Sequence, residues 1–255
     1  TFALSDDGGC RVECYEEDKV KHTAVVEDGV LQIDTVDARK WYDNINATFG
    51  QAKMTIYLPK EEYSVLSVEA GTCSVEVPAE FGFENLYISG DSADVECLAS
   101  VTNCIEISTD TGNIKVDAID GKKMELSTDT GDINVASVTM EDEVKVETDT
   151  GYINLTDLKC EELSAESETG NVSLINVASQ GKFNIKNDTG DVKLENSDAG
   201  DILIETGSGN VIGTLLSEKV FITETDTGDI SVPKTITGGR CEIKTDTGNI
   251  KIDIA

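Results

Sequence analysis

The sequence predicts an all-β protein: a single-stranded parallel β-helix, or β-solenoid, of about ten coils of 19–20 residues, wound right-handed and preceded by an N-terminal β cap. Three observations predict it. Glycine recurs at Gly112, Gly131, Gly151, Gly170, Gly190, Gly209, Gly228 and Gly248, at steps of 19, 20, 19, 20, 19, 19 and 20 residues. Apolar residues flank each glycine at a spacing of two, which is the period of a strand and not of a helix. The word around the glycine repeats as well, as in "STDTGDINV" at 127–135, with six copies of Asp-Thr-Gly.

Residues 1–61 supply the expected cap. "RVECYEE", "KHTAVVEDGVLQIDTV" and "KMTIYLPK" read as strands, and "EDG" as a hairpin turn. "DARKWYDNINATFGQ" between them reads as a loop or short helix whose Trp41 packs on the first coil. The lone histidine, His22, reads as a surface residue.

Residues 62–255 supply the coils, with Gly71 and Ala93 extending the glycine slot backward. Seven before the glycine stand Ile105, Met124, Val144, Leu163, Phe183, Ile202, Phe221 and Cys241. Five before it the series runs from Ile107 to Ile243, two after it from Ile114 to Ile250, and four after it from Val116 to Ile252. A looser connection adds Ile119, Val138, Leu158, Val177 and Leu216. Residues between the columns, such as Glu125, Asn134 and Lys145, are polar and face water. One such unit cannot bury its apolar side alone. Stacking units at about 4.8 Å does, and ten of them make about 48 Å. Right-handed winding follows from the handedness of parallel crossovers.

The glycine needs no catalytic explanation, because a sharp turn between strands calls for a residue at positive φ. The Thr and Asp before it are expected to accept hydrogen bonds from the turn backbone. A sharper reading makes the corner a calcium ladder. Its candidate ligands are Asp110, Asp129, Asp149, Asp188, Asp226 and Asp246 two before the glycine, with Asp132, Asp191 and Asp229 one after it. Stacked carboxylates at about 4.8 Å repel by about 0.9 kcal/mol per pair even in water, and a divalent ion would relieve that. Against it, Asn113, Asn171, Asn210 and Asn249 dilute the second column, and nonapeptide calcium solenoids use a shorter repeat. Aspartic-protease chemistry needs two such loops facing one another across a cleft, not six copies at a fixed period.

The bulk numbers narrow the function. Fifty acidic residues against 20 basic ones give a net charge of -30, which excludes nucleic acid as a default partner and disfavours anionic lipid surfaces. No run of 18 apolar residues exists to span a bilayer, so no direct membrane insertion is expected. Catalytic residues and cofactors are expected to be none, calcium aside. Seven cysteines without a CxxC pair read as free thiols acting as small hydrophobes.

The order "EDGVLQI", "KMTIYLPKEEYSVLSVEAGTCSVEV" and then repeated "TDTGDINV" units resembles the bacterial putative-adhesin family, a β-solenoid domain of unknown function. The resemblance covers nearly the whole chain. It implies a domain often preceded by an export or membrane anchor, hence an extracellular or cell-envelope location by way of an N-terminal segment outside this sequence, and it carries no catalytic residues over.

The functional expectation is a non-catalytic surface module for structure or adhesion, presenting a rigid acidic solenoid to a protein or glycan ligand. A self-associating envelope-stress scaffold is the alternative. A polysaccharide-acting enzyme is a remoter one, needing carboxylates converging in a cleft. The repeat stops half finished at "KTDTGNIKIDIA" with no distinct cap, so either Lys251 and Asp253 shield the last coil or an end-to-end homodimer forms through the C-terminal coil.

Overall fold

The computed structural model describes residues 1–15, 20–37 and 53–255, which form two compact units, Thr1–Glu61 and Glu62–Ala255. Trp41 and its segment lie outside the described residues. In the first unit, β1 (Phe2–Leu4), β2 (Arg11–Cys14), β3 (Val20–Glu27), β4 (Val30–Asp37) and β5 (Met54–Leu58) follow the strand runs of the sequence. β5 pairs parallel with β1 and antiparallel with β2. β3 and β4 form a hairpin whose two-residue turn, Asp28 and Gly29, takes φ of 50° and 79°, the left-handed geometry that matches the twist of antiparallel strands. His22 lies half-buried on β3.

The second unit is a stack of parallel coils in one register. Ile105 pairs Met124, Met124 pairs Val144, Val144 pairs Leu163, Leu163 pairs Phe183 and Phe183 pairs Ile202. Each coil consists of short extended segments, as in 133–136, 138–140 and 143–150. The residues of the four apolar columns face one another down the axis. Ile114, Ile133, Ile153, Val172, Val192, Val211 and Ile250 are each 0% exposed.

The loose connection is more regular than its sequence. A second corner falls six residues after the glycine, where Ala118, Ser137, Asp157, Asn176 and Asn196 take φ between 49° and 59°. Left-handed backbone at a residue with a Cβ costs about 1 kcal/mol, least for Asn and Asp. The residue after this corner turns inward, and Ile119, Val138, Leu158 and Val177 are buried as expected. Leu216 is not: it is 53% exposed, and Leu215 fills the core in its place. The slot between Val177 and Leu216 holds Ser197, fully buried, whose one hydroxyl proton is shared between the carbonyls of Leu174 and Glu195 and whose oxygen accepts from the Val177 amide.

The main departure from expectation is at the C-terminus. Ile202 of the Gly209 coil pairs with Cys241, not Phe221, and Phe221 pairs with the other side of Cys241. The second arm agrees, since Val211 pairs Ile250 and Ile230 pairs Ile250. The stack therefore runs Gly190, Gly209, Gly248, Gly228. The chain skips one level after Leu215, lays down Lys219–Ser231, returns through 232–238, and slides the C-terminal coil into the vacant level. That coil has a strand on either side, and the last residue is tied by its amide to the Leu215 carbonyl at 2.9 Å. The terminal coil of the solenoid is thus Lys219–Ser231. The coil expected at the open end is interior, because parallel coils of one register can stack in any order the connections allow.

Candidate functional site: corner ladders and the open end

The corner is built by close approach. At Gly131, φ is +159°, and a Cβ there would lie 1.9 Å from the Gly112 carbonyl oxygen. At Gly248 a Cβ would lie 1.9 Å from the Gly209 oxygen. Successive glycines stack backbone on backbone, so the slot excludes a side chain by contact as well as by conformation.

Two side-chain ladders serve this corner, and neither is the Asp-Thr pair preceding the glycine. The first stands three before it, in phase with the buried columns. Thr128 donates to the Gly112 carbonyl at 3.0 Å, Thr148 to Gly131 at 3.1 Å, Ser167 to Gly151 at 3.4 Å, and Thr245 to Gly209 at 3.1 Å. Each hydroxyl gives a donor to a part-buried carbonyl of the turn. Asn187 takes this slot in its coil: its Nδ2 donates to Gly190 at 2.8 Å, while its Oδ1 is buried without a partner.

The second ladder stands one after the glycine and works across coils. The Asp132 amide donates to Asn113 Oδ1 at 2.9 Å, Tyr152 to Asp132 at 2.8 Å, Asp191 to Asn171 at 2.8 Å and Asn210 to Asp191 at 2.8 Å. It then runs from Asn249 to Asn210 at 3.0 Å and from Asp229 to Asn249 at 2.8 Å, the same inverted order the strands show. Asn210 Nδ2 also donates to Asp191 at 3.0 Å, so the alternation of Asn with Asp turns repulsion into hydrogen bonding.

These contacts bear on the candidate calcium ligands. Asp132 and Asp191 each already accept a backbone amide through Oδ1. Asp110, Asp129, Asp149, Asp188, Asp226 and Asp246 stand exposed, one per coil. Among the described residues no three His, Cys, Asp or Glu side chains gather as an ion site. The sequence missed the threonine ladder, although its signal was available: Thr109, Thr128, Thr148, Thr206, Thr225 and Thr245 are polar in an inward-facing column.

The outward faces carry ion pairs both between coils and along one strand. Lys115 meets Glu96 at 2.7 Å, and Lys145 lies 3.3 Å from Glu125 and 2.9 Å from Glu147. Hydrogen bonds to those carboxylates raise both ammonium pKa values. Glu242, bonded to Lys244 at 3.0 Å, is held below the usual carboxylate range chiefly by that bond. Asp7 is lowered by the Gly9 amide and then by Ser5. A general acid needs the opposite displacement. The surface hollows are shallow. One runs over Ser67, Glu69, Tyr87, Ser89, Glu106 and Ser108 on the first coils, and another is framed by Glu84, Thr102, Asn103 and Lys122.

All described cysteines are free, and three of the seven, Cys97, Cys160 and Cys241, are buried. Burial pushes their thiols up to about 11, about 12 and about 12. Cys10 and Cys73 are exposed, unlike the buried hydrophobes expected of them.

At the open end Lys219 is the most unusual side chain. It is 3% exposed, and its Nζ reaches Asp198 Oδ1 at 2.7 Å and Ser217 Oγ at 2.6 Å. Lys219 pairs with Gly239, and a Cβ on Gly239 would strike the Gly200 oxygen at 1.7 Å. The lysine thus passes over a level that has no side chain and grips a carboxylate of an earlier coil. A buried ion pair adds little net stability, but losing one partner strands a charge. The contact bridges the terminal coil and an earlier one across the inserted level.

Residues 2–143 and 141–255 match the family model described as Toastrack DUF4097. A crystal structure of a putative adhesin from Bacteroides fragilis is similar at 16% identity, with 98% of this chain and 86% of that one covered and a TM-score of 0.44. No curated protein matches the chain.

Proposed function

The chain belongs to the Toastrack DUF4097 family, and from its geometry we propose a non-catalytic module of the cell surface or envelope, a rigid acidic solenoid displayed to a protein or glycan partner. The observation that carries this reading is the regularity of the outward faces. Most coils present polar side chains in their outward slots, tied coil to coil by side-chain hydrogen bonds and ion pairs such as Asn103 to Asn85 at 2.7 Å and Lys115 to Glu96 at 2.7 Å. Such a face is stiff and repetitive. It suits many weak contacts along its length better than one deep recess.

The test has two parts. Protease added to intact producing cells cleaves a surface module and leaves an internal protein whole. Immobilised glycans and captured surface proteins are then screened with the purified chain. Cleavage together with saturable binding supports the proposal. Full protection on intact cells overturns it.

A further inference from the structure

We infer that the Lys219–Thr227 edge is a self-association surface, on which a second copy of this chain docks by antiparallel strand pairing about a two-fold axis. The strand is paired on one side with Gly239–Thr247, and among the described residues no strand pairs with its other side. Its outward slots read Val220, Ile222, Glu224 and Asp226, where the neighbouring inserted coil reads Arg240, Glu242, Lys244 and Asp246. Val220 is 38% exposed and Ile222 46% exposed, and Ile230 on the second arm of the same coil is 45% exposed. Open edges are ordinarily blunted by charge, and this edge loses its charge on its first half.

Charge selects the partner and the register. A chain of net charge -30 repels its own broad faces, so a second copy can approach where charged slots have become apolar. An antiparallel pairing that sets Ile222 opposite Ile222 joins the apolar centres. It also places the partner subunit's Glu224 opposite Val220, and Arg240 is the residue registered beside Val220 on the inserted strand. The Arg240 guanidinium, paired with Glu242 on its own strand and on a side chain 60% exposed, then lies within reach of that second carboxylate across two strand spacings, about 9.6 Å. The two-fold repeats this pair, which gives a closed dimer and not a filament.

Sedimentation equilibrium of the whole chain over a wide concentration range tests the inference. A monomer–dimer equilibrium is expected. Ile222→Lys raises the dissociation constant at least about tenfold, while its melting temperature at low concentration stays that of the unsubstituted chain because the side chain is half exposed. Ile236→Lys, 92% exposed and off the strand, leaves the equilibrium unchanged. On mild oxidation Ile222→Cys cross-links to itself beyond the level given by the native thiols, since directly opposed residues lie within disulfide reach. A strict monomer at millimolar concentration, an open-ended polymer, or a dimer indifferent to Ile222→Lys overturns the inference.

Discussion

The Gly228 and Gly248 coils carry nearly the same words, "ETDTGDISV" and "KTDTGNIKI", in opposite surroundings. In the Gly248 coil Cys241, Ile243 and Ile250 are each 0% exposed. In the Gly228 coil Phe221 and Thr223 are half-buried, and Ile230 is 45% exposed. The difference teaches that the motif sets a coil's shape while its level in the stack sets its burial. Chain order does not decide the level. Two connections do, one skipping a level and one returning to it, with Lys219 fastened over the returned coil. The Gly248 coil, the later of the two in sequence, is an interior element with strands on both sides.

The largest effect that separates the two coils is cavity formation. Ile243→Ala is expected to cost about 3–4 kcal/mol, and Ile230→Ala about 1 kcal/mol or less, read as urea midpoints at unchanged slope. Equal losses would mean that the two coils share one environment.

Next comes the clamp. Lys219→Met leaves Asp198 without its cation and is expected to cost about 3 kcal/mol, while adding Asp198→Leu restores most of the loss. A double-mutant cycle with no coupling would remove the clamp from the account.

The corner glycines give a smaller contrast. Gly248→Ala is expected to cost about 2–3 kcal/mol and Gly228→Ala about half of that. Both new methyls meet a carbonyl at about 2 Å, but the terminal coil can yield outward and the inserted one cannot.

The mildest probe is Cys241. Its thiol keeps its proton to about 12 in the fold, against 9.0 in the unfolded chain. The unfolded state is therefore the one favoured by alkali. The stability Cys241 contributes is whole below pH 9 and is lost as pH rises toward 12. At pH 8 it should alkylate far more slowly than exposed Cys73, and faster once Lys219→Met loosens the terminal coil; equal rates from the start would show that the inserted coil is open.

Much of this was legible beforehand. The glycine period gave the coil length, and the columns at seven and five before the glycine and two and four after it gave the core. The strand runs of residues 1–61 were readable from alternation and from the Asp-Gly turn. Three things were not. The corner at Ala118, Ser137 and Asp157 has no fixed residue, because open space there tolerates a Cβ; only Asp157, Asn176 and Asn196 hint at left-handed backbone. The threonine ladder was overshadowed by the louder Asp-Thr-Gly beside it. The inverted order has no local signature, since identical registers make levels interchangeable. Its traces were breaks in the columns, with Gly213 in an apolar slot, Thr223 in another, Leu215 buried in place of Leu216, and the Gly238–Gly239 pair on the returning strand.

The inverted order itself can be tested by paired cysteines on the outward face. Glu205 pairs with Lys244, and Lys244 pairs in turn with Glu224. With Glu205→Cys and Lys244→Cys in one chain, a disulfide should form readily, because the two lie one strand spacing apart. With Glu205→Cys and Glu224→Cys the separation is two spacings, about 9.6 Å, and no bond should form. A bond in the second chain and none in the first would return the coils to their sequence order and contradict the account.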